Sequence, residues 1–143
     1  MTEPAVAIAR RPPGLSEAAL LRAVRVVLRG ERKRAPISLT FLGPAAMRRL
    51  NHRHLGHDQP TDVLSFALPI GDLVMGDVYV CRAIAAAEAR RRGIPLRQEL
   101  VRLVIHGVLH VLGYDHPDAR GRESSPMWKK QERYLKLALR SAP

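Results

Sequence analysis

One stretch constrains this chain more than any other. From Leu96 to Leu112 the residues are apolar around most of a helical circumference. A helix of that kind has to lie at the centre of the molecule, with other elements packed about it. Into this apolar surface the sequence sets His106 and His110. Residues four apart stand one turn above each other on the same helix face, so the two imidazoles can reach a common point. Polar rings on the buried side of such a helix are costly without partners, which makes plain core packing a poor account of the pair. Gly113 follows at once, and glycine readily takes the left-handed conformation that ends a helix and turns the chain back. His116 then arrives on the returning segment, six residues after His110.

Three neutral imidazole nitrogens at about 2.0–2.1 Å leave a fourth position of a tetrahedral zinc open for water, the arrangement of a catalytic rather than a structural site. The expectation is therefore one Zn2+ per chain, held by His106, His110 and His116. Their spacing, H-x-x-x-H-x-x-G-x-x-H, is shared with the metzincin proteases. Those enzymes place a glutamate next to the first histidine as general base, and here that position is Gly107. The peptidase mechanism loses its proton acceptor, whereas a zinc ion can still bring the pKa of a bound water to about 7. Asp115, beside His116, reads as a base, as an acceptor that orients a ligand histidine, or as an ordinary turn aspartate. His52 and His54 are two apart and diverge on a helix, which makes a second metal site there a poor reading.

Charge narrows the substrate. The 143 residues carry 24 Lys plus Arg against 13 Asp plus Glu, a formal net charge of +11, and nearly all the cations are arginine. Arginine forks match phosphate oxygens better than ammonium groups do, and a domain this basic generally meets a polyanion. Arg90, Arg91 and Arg92 are also explained by a helix C-terminus, where cations are favoured. The single cysteine, Cys81, excludes an internal disulfide and suits a reducing cytosol. No apolar run has the length of a membrane span, and the first residues lack the apolar core of a secretory signal.

The remaining pattern predicts one α+β domain over residues 1–143: a mixed sheet of about four strands, about five helices, and a metal cleft at the end of the central helix. Strands are predicted at Val6–Ala9, Ile37–Leu42, Asp62–Leu68 and Leu73–Val80, with a turn at Pro69–Asp72. Ser16 reads as an N-cap, with Leu15 and Leu20 as a hydrophobic staple, and that helix stops at Gly30. Further helices are predicted from Pro44 to His54, over Arg82–Arg92 with Gly93 closing it, over Leu96–Leu112, and from about Glu123 to Arg140.

Three blocks in this order resemble the YbeY family of bacterial rRNA maturation factors: Pro60-Thr-Asp-Val-Leu-Ser-Phe66, Met75-Gly-Asp-Val78, and His106-Gly-Val-Leu-His-Val-Leu-Gly-Tyr-Asp-His116. The resemblance spans roughly Ile37 to His116. It implies a zinc-dependent endoribonuclease selective for single strands, acting in 16S rRNA 3′-end maturation and late ribosome quality control. It also implies a cytoplasmic protein with small ribosomal subunit components as partners, and no role on DNA. Many relatives carry an arginine one residue before the glycine that leads into the first block. Leu55 stands there in this chain, and Arg53 and His57 are the nearby basic residues that are candidates for the phosphate contact. Two other readings stay open at this level. One is a zinc hydrolase of another substrate class. The other is a non-enzymatic, zinc-containing assembly factor that binds rRNA.

Overall fold

The structure, a computed structural model, describes residues 4–115 and 124–140. Four strands form one sheet: β1 (Val6–Ala9), β2 (Ile37–Leu42), β3 (Val63–Ile70) and β4 (Leu73–Cys81), in the order β1-β2-β4-β3. β1 and β4 both run parallel to β2, and β3 runs antiparallel to β4. Around this mixed sheet lie helices α1 (Glu17–Glu31), α2 (Pro44–Leu55), α3 (Arg82–Arg92), α4 (Leu96–Val111) and α5 (Pro126–Leu139). The class is α+β with the strand and helix numbers that the pattern predicts.

Strand periodicity decides which helix goes where. Successive side chains point to opposite faces. On β4, Val78 and Val80 join the main core with residues of α1, α4 and α5, while Cys81 turns to the other face. There Cys81 meets Met47 of α2 and Leu64 of β3 in a smaller cluster, completed by Phe66 and Tyr79. Helix α4 thus lies against β3 and β4 and is flanked by α1, α3 and α5. Gly76 sits where a Cβ would overlap Val111 of α4, so the helix can approach the sheet closely.

Most of the local signals act as the chemistry requires. Ser16 accepts from the Ala19 amide at 3.1 Å, and Leu15 and Leu20 are buried. Pro44 opens α2, and Gly93 closes α3 in the left-handed region. Several boundaries shift by a residue or more, two of them for a clear physical reason. The strand β3 continues through Pro69 to Ile70 and turns on Gly71-Asp72 alone. Among the described residues only β4 pairs with β3, so the missing amide of Pro69 can face outward on an edge strand. Helix α1 does not stop at Gly30. It runs on to Glu31, and Arg32 takes the left-handed conformation instead (φ 56°), with the Lys33 amide donating to Leu28 O at 2.9 Å. Glycine is needed at position 30 for another reason: a Cβ there would overlap the ring of Tyr134. At the other end of the chain, α5 begins at Pro126 behind an N-cap, Ser125, which accepts from the Trp128 amide at 3.1 Å.

Candidate metal centre and cleft

Between Glu99 and Val111 every residue of α4 is buried except His106 and His110. The pair faces a cleft of about 1050 Å³. Its walls come from the start of β3 (Thr61, Asp62, Ser65), from α3 (Arg91, Arg92) and from α5 (Trp128, Gln131). The imidazole rings meet edge to face, centroids 4.5 Å apart, with the two Nε2 atoms at 3.0 Å. Two ligand nitrogens on a tetrahedral zinc at ~2.05 Å would stand about 3.3 Å apart. The two donors are therefore spaced within a few tenths of an ångström of a zinc chelate. The third expected ligand, His116, lies outside the described residues, and among those described no group of three suitable side chains is placed to hold a metal ion.

The turn after α4 has the geometry that Gly113 suggests. Gly113 has φ 103°, its amide donates to His110 O at 3.0 Å, and the Tyr114 amide donates to Leu109 O at 3.1 Å. That double closure ends α4 and turns the chain at Gly113. Tyr114 is then tied down by more than packing. Its hydroxyl donates to Glu31 Oε1 at 2.6 Å. Lys130 Nζ donates to Glu31 Oε2 at 2.9 Å, and the Tyr134 hydroxyl bonds the same carboxylate. Burial would raise the Glu31 pKa. The two phenols and the Lys130 ammonium outweigh it and hold the carboxyl down at about 2. Asp115 comes next, its side chain almost wholly exposed, with Oδ1 3.8 Å from His110 Nδ1.

Gly107 lies toward the sheet. A Cβ there would stand 2.5 Å from Val78 Cγ1 and 3.0 Å from Ser65 Oγ, and Ser65 Oγ donates to the Gly107 carbonyl at 3.0 Å. No side chain fits between α4 and β4 at this level, so a glutamate at 107 has no place in this packing. Thr61, Asp62 and Ser65 line the cleft, and so does Leu55. Neither Arg53 nor His57, both exposed, is among the described residues on its walls. His54 packs its ring on Phe66, centroids 4.8 Å apart.

Behind His106 runs a chain of polar side chains that the sequence pattern did not single out. His106 Nδ1 is 2.7 Å from Gln131 Oε1. Gln131 Nε2 donates to Glu132 Oε2 at 3.0 Å. Arg102 grips both Glu132 oxygens, at 3.0 and 3.2 Å, and donates through its remaining nitrogen to Glu99 Oε1 at 2.7 Å. Gln131, Glu99 and Arg102 are all buried. Burial pushes the Glu99 carboxyl above its ordinary range. It acts on Glu132 in the same sense, but the Arg102 fork and the Gln131 amide prevail and hold that carboxyl below its range. One signal was available in the sequence: buried charges need partners, and Glu99 and Arg102 lie one turn apart on an otherwise apolar helix.

The family description Endoribonuclease YbeY matches residues 15–138. The chain belongs to the YbeY family. Curated YbeY endoribonucleases resemble it over most of their length. That of Chlorobium phaeovibrioides is 42% identical over 124 residues, 86% of this chain and 82% of the relative. That of Chlorobium luteolum is 38% identical over 129 residues, 88% of this chain and 91% of the relative. The solution structure of TM1509 from Thermotoga maritima superposes with a TM-score of 0.68 at 32% identity, covering 93% of this chain and 88% of that one. The matched span contains all three YbeY motif blocks, from Pro60 to His116, and also Gln131 and Glu132 in α5. Among the described residues no helix is long and apolar enough to cross a membrane.

Proposed function

We propose that this chain is a zinc-dependent endoribonuclease that cuts single-stranded RNA in the cleft beside α4. The observation that carries the proposal is the pair of imidazoles, His106 and His110, with Nε2 atoms 3.0 Å apart in a cleft of a chain of charge +11. Two further observations support it: relatives of this size and identity bear the name endoribonuclease, and His116 follows at the spacing of a third ligand. When bound, zinc would supply Lewis acidity and an acidified water. His106, His110 and His116 would hold it. Arg91 and Arg92 on the wall would hold phosphate oxygens as charge develops on them, with Arg53 and His57 as the exposed basic candidates outside it. Asp115 would accept a proton or orient a ligand histidine. The exposed part of Trp128 offers an unpaired base a surface for stacking.

Gly107 argues against a peptide substrate, because no carboxylate can occupy the place of a zinc peptidase's general base. In the cell the family resemblance extends the proposal to 16S rRNA 3′-end maturation and late ribosome quality control, in the cytoplasm, with small-subunit components as partners.

The test is cleavage of a labelled single-stranded RNA by wild type and by His110→Ala, purified in parallel, with and without a chelator. Cleavage by wild type alone, lost on chelation and restored by zinc, is the expected outcome. Equal cleavage by both preparations would sink the enzymatic reading and favour an rRNA-binding assembly factor.

A further inference from the structure

A histidine can ligate a metal through Nε2 only when the proton sits on Nδ1. In this chain the choice is made three residues away from the ring. Arginine has N–H donors and no acceptor, so Arg102, forked onto both oxygens of Glu132, keeps that carboxylate ionised and acceptor-only. The Glu132 oxygen therefore has to meet the NH2 end of the neighbouring amide. Turned the other way, Gln131 would set its carbonyl oxygen against a carboxylate oxygen at 3.0 Å, with a donor on neither side. The carbonyl end of Gln131 is thereby left facing His106 Nδ1 at 2.7 Å, where only an N–H can satisfy it. The lone pair of His106 falls on Nε2, the atom directed at His110 Nε2.

We propose that Gln131, fixed by Glu132 and Arg102, is a positioning residue that holds His106 in its Nδ1–H form and so presents Nε2 to the metal. The role rests on the metal reading of His106 and His110. Gln131 lines the cleft wall next to the ring and bonds it directly. It acts through the ring, and it has no freedom to do otherwise, being 2% exposed and bonded at both ends of its amide. The glutamates and arginines behind it alternate in sign: Glu132 is paired with Arg102, and Glu99 with Arg102 and more distantly with Arg92 at 3.5 Å. The orientation of the amide is thus set from within α4 and α5 and does not depend on the ion.

Two readouts on the full chain test this, and one of them needs no metal. Long-range proton–nitrogen correlation spectra of metal-free, 15N-labelled protein report the tautomer of His106 directly. Zinc affinity is read by competition with a chromophoric chelator. Wild type is expected to show His106 as the single Nδ1–H form. Gln131→Met keeps the length and removes the acceptor, so it should give a mixed population and about 10- to 100-fold weaker zinc binding, the usual effect of losing an outer partner of a ligand histidine. Gln131→Glu alone keeps an oxygen facing His106 Nδ1 and leaves the Arg102 fork on Glu132 in place. That variant should restore both readouts. A Gln131→Met protein with an unchanged single tautomer and zinc affinity within twofold of wild type would overturn the proposal. Should Gln131→Met fail to fold, Gln131→Glu decides: an Nε2–H form of His106 in it overturns the proposal as well. If wild type holds the Nδ1–H form and yet binds no zinc, it is the metal reading that has failed, and the positioning role falls with it.

Discussion

At Gly107 packing and chemistry impose the same residue. The helix α4 lies so close to β4 that a Cβ would press on Val78 and Ser65, and the side chain that a zinc peptidase would carry there points at the sheet. Gly107→Glu should therefore not create a peptidase. It should lower stability by about 3 kcal/mol or more, since it both overfills a packed contact and buries a carboxylate without a partner. A urea titration followed by circular dichroism measures this, together with a casein assay that should stay blank. A variant of near wild-type stability would mean that α4 can lift away from the sheet. The same contact explains why the histidines are the exception in α4. With the sheet on one side and α1 and α5 on others, only the face carrying His106 and His110 is left toward the cleft.

At the scale of elements, Gly30 makes the clearest prediction. Alanine is the better helix former by about 1 kcal/mol in an ordinary helix interior. Gly30→Ala should nevertheless destabilise, by about 1–3 kcal/mol, because Tyr134 rests on the bare backbone and its hydroxyl is anchored on Glu31. A thermal melt decides the sign, and a stabilised variant would show that Tyr134 has room to move. Gly30 also marks where the sequence was readable and where it was not. Periodicity, caps and turn residues act through neighbours in the chain, so Ser16, Pro44, Gly93 and the alternation of β2 predicted their elements closely. The glycine at position 30 answers to Tyr134, more than a hundred positions away, and a glycine needed for close approach looks in sequence like one needed for a turn. The same holds for the site. The spacing of His106 and His110 is local and legible, whereas Gln131 reaches His106 only through the packing of α5 on α4. Glu31 gave a faint signal of its own. A carboxylate at a helix C-terminus opposes the helix dipole, so it has to find donors elsewhere.

For the molecule as a whole, those donors make Glu31 a joint between the end of α1, the turn after α4 and the body of α5. Its carboxyl is held at about 2 in the folded chain against 4.5 for an unperturbed glutamate. A depressed folded-state pKa contributes stability that is complete above the unfolded value and is lost as pH falls through the folded one. The contribution should therefore be intact above about pH 5 and fade between 4.5 and 2. Glu31→Gln should cost about 2 kcal/mol at pH 7 and should show a flatter loss of stability over that acid window. Urea midpoints at several pH values check this, and parallel curves for the two proteins would contradict it.

The cleft also contains the means of watching it. The chain has a single tryptophan, and that residue, Trp128, lines the same cleft as Gln131 and His106. Its fluorescence is therefore a single-site signal: emission excited at the indole band comes from this wall and from no other part of the protein. A ligand entering the cleft is observable in the unlabelled protein, with no dye and no added residue to disturb the site.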